Sequence, residues 1–364
     1  MKPSTPVLPE SPTPGAIELH VHEGFATADL LATLDCFWEG LGEGTCLSWH
    51  PGYLDAVAGG LNHRPYYLVA VRDGQTVGVL ALAYVSSFLF GRFLVSLPYL
   101  NYGGVLADDE AIGQRLIEKA VELANQLEVR YLELRHQDPI SHHALTHTRT
   151  DKVHMRLSLP ASPGLLWDQI SAKVRNQVRK GQKQDFSVTF GGEDLLNPFY
   201  KVFSHNMRDL GTPVFHKRLF RKILQTFDGR AELCVVHDGD KPIAGALLTH
   251  GQGITEVPSA SSLRNYNSQN VNMLMYWHLL ERAVMRGQGV FDFGRTSPDA
   301  TTFRFKKQWG AEPLPAVWQY YVRHGEVGDT RKENPKYERM IRTWKRLPVW
   351  LTRWIGPTIV RGIP

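Results

Sequence analysis

Apolar residues recur along this chain at two spacings. Alternation marks strands at Leu68–Val71 and Val77–Val79, with Asp73-Gly74 between them. It returns at Leu233–Val236 and Ile243–Gly245, around Asp238-Gly239. Asp-Gly between alternating apolar residues is a hairpin signal, because the turn needs positive φ. Helix spacing governs Ala111–Leu127 and Asn272–Arg286, and each is followed by a short strand, Tyr131–Arg135 and Val290–Arg295. An amphipathic stretch precedes each hairpin, from Trp49 to Leu61 and from Phe215 to Phe227. The elements thus recur in one order, 160 to 166 residues apart. The pattern predicts a repeated α+β unit, with mixed, mainly antiparallel sheets flanked by helices.

Other segments fit around this repeat. Leu166, Ile170, Val174 and Val178 recur every four residues and predict one helix across the basic stretch 165–183. The uncharged run Val77–Gly91 reads as two buried strands joined near Ser86-Ser87; it is shorter than the roughly 20 residues of a spanning helix. Residues 1–16, with Pro3, Pro6, Pro9, Pro12 and Pro14, read as a disordered tail and not a secretory signal. The expected organisation is a first domain over 17–160, a second over 161–328, and a basic, Trp-containing tail over 329–364. In that tail Trp350, Trp354, Arg353 and Arg361 suit either a membrane interface or packing on the protein's own surface. No helical moment is expected to be sustained past Pro357.

Composition narrows the class. The 364 residues are 43% apolar and 21% charged, which excludes a wholly disordered chain. A net charge of +5 favours anionic partners without establishing nucleic-acid binding. Three cysteines, none in a C-x-x-C pair, exclude a disulfide scaffold and fit a reducing cytoplasm.

Five segments carry a resemblance. They are Ser96–Gly104 (SLPYLNYGG), Lys173–Lys180 (KVRNQVRK), Met207–Pro213 (MRDLGTP), Asp292–Arg295 (DFGR) and Phe305–Gly310 (FKKQWG). In this order the chain resembles the FemAB superfamily of peptidoglycan aminoacyltransferases, and more closely the FemAB-like proteins associated with exosortase and exopolysaccharide systems. The resemblance implies two tandem GNAT-like (N-acyltransferase fold) domains. It also implies transfer of an amino acid from aminoacyl-tRNA to an amine of a lipid-linked cell-wall precursor. Some members carry a coiled-coil arm in the second domain. No long heptad stretch is present here, which weakens the case for tRNA as donor.

The resemblance places a catalytic cation at Lys306, with Lys307 as the alternative. Such a cation lowers the barrier by meeting charge that develops on a carbonyl oxygen or phosphate. Asp292 and Arg295 read as an anion-orienting pair or a structural ion pair. Asp209 reads as a group that positions the attacking amine, or as the partner of Arg208. Asn101, Tyr102 and Gly103 offer hydrogen bonds and close backbone approach. Lys173, Arg175, Asn176 and Arg179 offer a phosphate-binding face or a solvated one. Arg208, Ser261, Asn272 and Trp309 complete the candidate binding set.

Neither a metal nor a bound cofactor is expected. His136, His142, His143 and His147 lack acidic or thiol partners at ligand spacing. No G-x-S-x-G elbow surrounds Ser259, Ser261 or Ser262. No Gly-rich loop opens either helix to cradle the pyrophosphate of coenzyme A. The leading expectation is an acyl- or aminoacyltransferase that forms an amide on a peptidoglycan- or exopolysaccharide-related precursor, without a covalent enzyme intermediate. Its partners would be a lipid-linked or saccharide acceptor, aminoacyl-tRNA, and the inner membrane through the C-terminal tail. The rivals are a coenzyme A-dependent N-acyltransferase acting on an amino sugar, and a non-catalytic polysaccharide or membrane adaptor.

Overall fold

A computed structural model describes residues 15–88, 90–327 and 338–363. The proline-rich segment read as a disordered tail lies almost wholly outside the described residues, as do 328–337. The first half runs β1 (Ile17–Glu23), α1 (Ala28–Gly40), α2 (Tyr53–Leu61), β2 (Arg64–Arg72), β3 (Gln75–Ser87), β4 (Gly91–Val95), β5 (Val105–Ala107), α3 (Glu110–Gln126), β6 (Tyr131–His136) and β7 (His147–Ser158). Helices α4 (Pro163–Gln169) and α5 (Ala172–Gln182) link the halves. The second half runs β8 (Phe186–Gly191), α6 (Leu196–Leu210), α7 (Lys217–Thr226), β9 (Ala231–Asp238), β10 (Lys241–His250), β11 (Ile254–Ser262), α8 (Val271–Met285), β12 (Val290–Thr296), α9 (Thr301–Lys307) and β13 (Glu312–Val322). The tail forms α10 (Glu338–Trp344) and α11 (Val349–Val360).

All thirteen strands join one sheet, ordered β1-β2-β3-β4-β6-β13-β7-β12-β11-β10-β9-β8, with β5 against β3. The order is symmetric about its centre. Each half lays down five strands of this order, the first half adding β5, and then sends its last one across. β7 pairs with β12 of the second half, β13 pairs with β6 of the first, and the two pair with each other. The repeat read from the sequence is present, and the exchanged strands were not part of it. The two parallel pairs, β4–β6 and β11–β12, are bridged by α3 and α8. A helical crossover is what parallel neighbours require.

The strands alternate between two faces. Tyr67, Val69, Leu233 and Val235 enter a core shared by α1, α2, α6 and α7 of both halves. Tyr66 and Leu68 face α3, and Cys234 and Val236 face α8. The sheet therefore has one core common to both halves on one side and a separate core for each half on the other. Helices α2 and α7 come close at Gly60, where a Cβ would lie 2.7 Å from the Leu219 Cα.

Three local expectations need correction. The basic stretch is two helices, because Ile170 turns extended and the Ser171 hydroxyl accepts from the Val174 amide to start α5. The second hairpin turns on Gly239-Asp240, since Asp238 still pairs with Lys241; Gly239 alone supplies the positive φ there. Helix α11 continues through Pro357. Proline removes one hydrogen bond there, but packing holds the helix: Thr352, Gly356 and Val360 are buried, and Arg353 donates to the Ser204 hydroxyl of α6 at 2.7 Å.

A fragment of residues 15–158 is expected not to fold as a monomer, since β6 would lack β13 and β7 would lack both neighbours. Size-exclusion chromatography with far-UV circular dichroism checks this. A monomeric, cooperatively melting fragment would refute it.

Candidate active site

Strands β11 and β12 pair over only three residues, ending at Glu256 opposite Asp292, and then separate. At the same level β12 bulges. Its Asp292 faces Arg156 of β7, but the next partners are Arg295 and His154, so β12 carries one extra residue. Gly294 takes the positive φ of +77° that this bulge needs, and a Cβ there would lie 2.9 Å from Asn101 Nδ2. The carbonyls of Gly294 and Arg295 lie at this bulge. Lys306, buried on α9, donates its ammonium to both, at 2.8 and 3.2 Å. Lys307 is exposed, so Lys306 is the inward lysine. An ammonium has three donors, and the third of Lys306 has no protein acceptor among the described residues.

Asp292 organises the neighbouring groups. One carboxylate oxygen accepts from Tyr102 Oη at 2.5 Å and from Arg156 Nε at 3.0 Å; the other accepts from the Gly294 amide at 2.7 Å. Tyr102 stacks on His154 with ring centroids 3.9 Å apart. Glu256 accepts from the amide and hydroxyl of Ser48, at 2.9 and 2.6 Å. Residues from both halves thus meet where β11 and β12 part.

The pair expected between Asp292 and Arg295 is not formed: Asp292 pairs with Arg156 of the exchanged strand, and Arg295 has a different setting. Its guanidinium lies 3.8 Å from the Trp318 ring centroid, and that of Arg135 lies 4.1 Å from the same ring. Arg135 is neutralised by Glu133 at 2.7 Å. Arg295 has no carboxylate within ion-pair distance among the described residues. Stacking on an indole stabilises a cation but does not satisfy its planar fork, which suits a carboxylate or phosphate.

Burial sets the protonation of these groups. Desolvation pushes Lys306 down to about 8, against the pull of Asp292, so it stays mostly charged near pH 7. Desolvation and the Arg135 charge bring Arg295 down to about 9. Desolvation raises Glu256 to about 7, despite the Ser48 hydrogen bonds. Desolvation lowers His154 to about 4, and neither of its ring nitrogens has a protein partner.

The remaining candidates from the sequence divide into groups. Asn101, Tyr102, Asp292, Arg295 and Lys306 come together. Gly103 allows close packing, since a Cβ there would meet the Ser96 carbonyl at 2.6 Å. Trp309 is buried in the core under α8. Arg175 donates to the carbonyls of Trp167, Asp168 and Ile170, closing the end of α4. Lys173, Asn176 and Arg179 lie exposed on α5, with Arg179 over the Trp167 ring. Asn272 sits in the first turn of α8. Asp209 and Arg208 pair at 2.7 Å near the end of α6, and Asp209 lines a polar cavity of about 440 Å³ with Lys201, Lys241 and Arg264. Ser261 accepts from Asn206 Nδ2 at 3.0 Å. None of these contacts joins Asp209 to Lys306. No cluster of potential metal ligands occurs among the described residues.

Sequence reasoning missed Ser48, His154, Arg156 and Glu256. Glu256 carried a signal, being a lone acid within the apolar start of a strand. His154 and Arg156 carried none, because they reach the site only through the exchanged strand β7.

Comparison with known proteins follows this geometry. Residues 169–307 match the acetyltransferase (GNAT) domain family. Among solved structures, FemX is similar with a TM-score of 0.60 and 15% identity, covering 83% of this chain and 97% of its own. A tandem GNAT protein from the clavulanic acid biosynthesis pathway has a TM-score of 0.54 and 14% identity, covering 85% of this chain and 100% of its own. The C-terminal domain of a candidate lysylphosphatidylglycerol synthetase from Agrobacterium fabrum has a TM-score of 0.52 and 10% identity, covering 81% and 92%. No curated protein matches the sequence. The chain has a tandem GNAT-like fold similar to that of FemX, and residues 169–307 of its second half match the GNAT acetyltransferase family.

Proposed function

We propose that the protein transfers an acyl or aminoacyl group to an amine of a cell-envelope precursor, at the opening between β11 and β12. One observation carries the reading. A buried ammonium, with two of its three N–H donors fixed by bulge carbonyls, stands at that opening, and the Arg295 guanidinium reaches from the same bulge over Trp318 of β13. In the reaction the acceptor nitrogen attacks the donor carbonyl carbon, the bond to the leaving oxygen or sulfur breaks, and the amine's proton ends on the leaving group. Negative charge builds on the carbonyl oxygen. The third N–H of Lys306 is the donor suited to meet it. Arg295 would hold an anionic group of donor or acceptor, and Asp292 keeps Tyr102 and Arg156 in position. The likeness to FemX and to the lysylphosphatidylglycerol synthetase domain supports an aminoacyl donor and a lipid-linked acceptor.

A coenzyme A donor is the second reading, favoured by the match to an acetyltransferase family. Against it, the turn before α8 (residues 263–270) has no glycine, and no side chain caps the helix at Asn270. Thermal-shift titration with acetyl-coenzyme A separates the readings, because ligand at 100 times its Kd should add about 2.7 kcal/mol of stability. A saturable shift selects coenzyme A; none at millimolar ligand leaves the aminoacyl ester.

Two further outcomes are expected. Lys306→Ala should lower kcat by about 10²–10³-fold in a folded protein. Because Lys306 acts as a cation, wild-type kcat should fall as pH rises through about 8. A variant with unchanged kcat, or a profile flat to pH 9, would remove Lys306 from the chemistry. The second outcome concerns His154. Its folded pKa of about 4 lies below its unfolded value, so its contribution to stability is present above the unfolded pKa and is lost as pH falls toward 4. His154→Phe should therefore lose about 2 kcal/mol less than wild type on going from pH 7 to pH 5. Urea denaturation at the two pH values measures it.

A further inference from the structure

Helix α11 has two faces with different fates. Thr352, Gly356 and Val360 recur every fourth residue and are buried. Gly356 packs so closely on Val214 that a Cβ would lie 3.0 Å from its amide nitrogen. On the other side, Trp350 and Trp354 are 69% and 75% exposed. Continuing that side by one and two turns reaches Thr358 and Arg361. Arg361 stands between two polar cavities, of about 220 and 310 Å³, which also receive Arg218 and Arg64. The end of the helix is pinned, with Tyr99 Oη donating to the Arg361 carbonyl at 2.9 Å. Beside it lies the β3–β4 turn, where a Cβ on Gly362 would sit 2.5 Å from Ser87 Oγ and the Phe88 side chain is fully exposed.

The charge of the molecule is concentrated here. Residues 338–364 hold six basic residues and the single acid Glu338, a formal +5 that equals the net charge of the whole chain. Everything before residue 338 is therefore neutral in sum. Monomers seldom leave two tryptophans unburied on one helix face. Indole rings with arginines beside them match the boundary between headgroups and acyl chains of an anionic bilayer.

We propose that α11 and the adjoining β3–β4 turn form a docking face for an anionic phospholipid bilayer. Trp350, Trp354 and Phe88 enter the interface, while Arg361, flanked by Arg64 and Arg218, meets lipid phosphate. This rests on the tail and the surface beside it, and not on the transfer chemistry. The face holds the protein by its surface, since no helix among the described residues is long and apolar enough to cross a membrane.

The test is co-sedimentation of the full chain with phosphatidylcholine vesicles, with and without phosphatidylglycerol, at low and high salt. Binding should need phosphatidylglycerol and weaken with salt. The double variant Trp350→Ala/Trp354→Ala should lower the partition coefficient at least about tenfold. Arg361→Gln should lower it about fivefold. Because both indoles are exposed, the double variant should keep the wild-type melting temperature and turnover on a soluble acceptor, which separates this outcome from failure of the transfer reading. Absence of binding to phosphatidylglycerol vesicles at low salt would overturn the proposal. So would a double variant that binds like wild type, or self-association through the tail without vesicles.

Discussion

β7 and β13 hydrogen-bond to each other along the middle of the sheet, and each has its other neighbour in the opposite half. Most of the architecture depends on this exchange. It makes two repeated units into one continuous sheet, and it places α2 against α7 so that the helices of both halves share a core. It also brings His154 and Arg156, residues of the first half in sequence, against β12 in space. Lys306 lies on α9, between the end of β12 and the start of β13, so the candidate site sits where the chain crosses over.

Buried charge gathers at this crossing for a physical reason. Where β11 and β12 separate, backbone groups and acids lose their ladder partners, and a buried polar group left alone costs about 1–3 kcal/mol. The structure answers with side chains. Arg156 and Tyr102 satisfy Asp292, Ser48 satisfies Glu256, and Lys306 satisfies the bulge carbonyls. The ring nitrogens of His154 remain without a hydrogen-bond partner, and the Arg295 guanidinium has no carboxylate within ion-pair distance among the described residues. Leaving the buried imidazole of His154 unpaired makes the fold less stable than it could be, which is the usual relation between a reactive site and its scaffold.

Much of this was legible in the sequence, and the limits were specific. Hairpins, the helices α3 and α8, and the strands after them follow from periodicity, because each buries one face locally. Tyr102, Asp292, Arg295 and Lys306 could be singled out by motif. Strand exchange was hidden, since β7 and β13 look like any half-buried strands until their neighbours are known. The choice between Lys306 and Lys307 was equally hidden. Both follow Phe305, and only the turn of α9 decides which ammonium reaches the bulge. Proline at 357 misled because a helix interior normally excludes it, whereas here the packing of Gly356 and Val360 outweighs one lost hydrogen bond.

The exchanged strands also bear on how the chain is made. A polypeptide leaves the ribosome from its N-terminus, and β6 is complete at residue 136, while its partner β13 ends at residue 322. At about 5–20 residues per second, the edge of β6 waits about 10–40 s for its neighbour. An unpaired strand edge is a template for the wrong partner. The nascent first half therefore passes through a long open state, and its yield in the cell depends on what shields that edge until the last strand arrives.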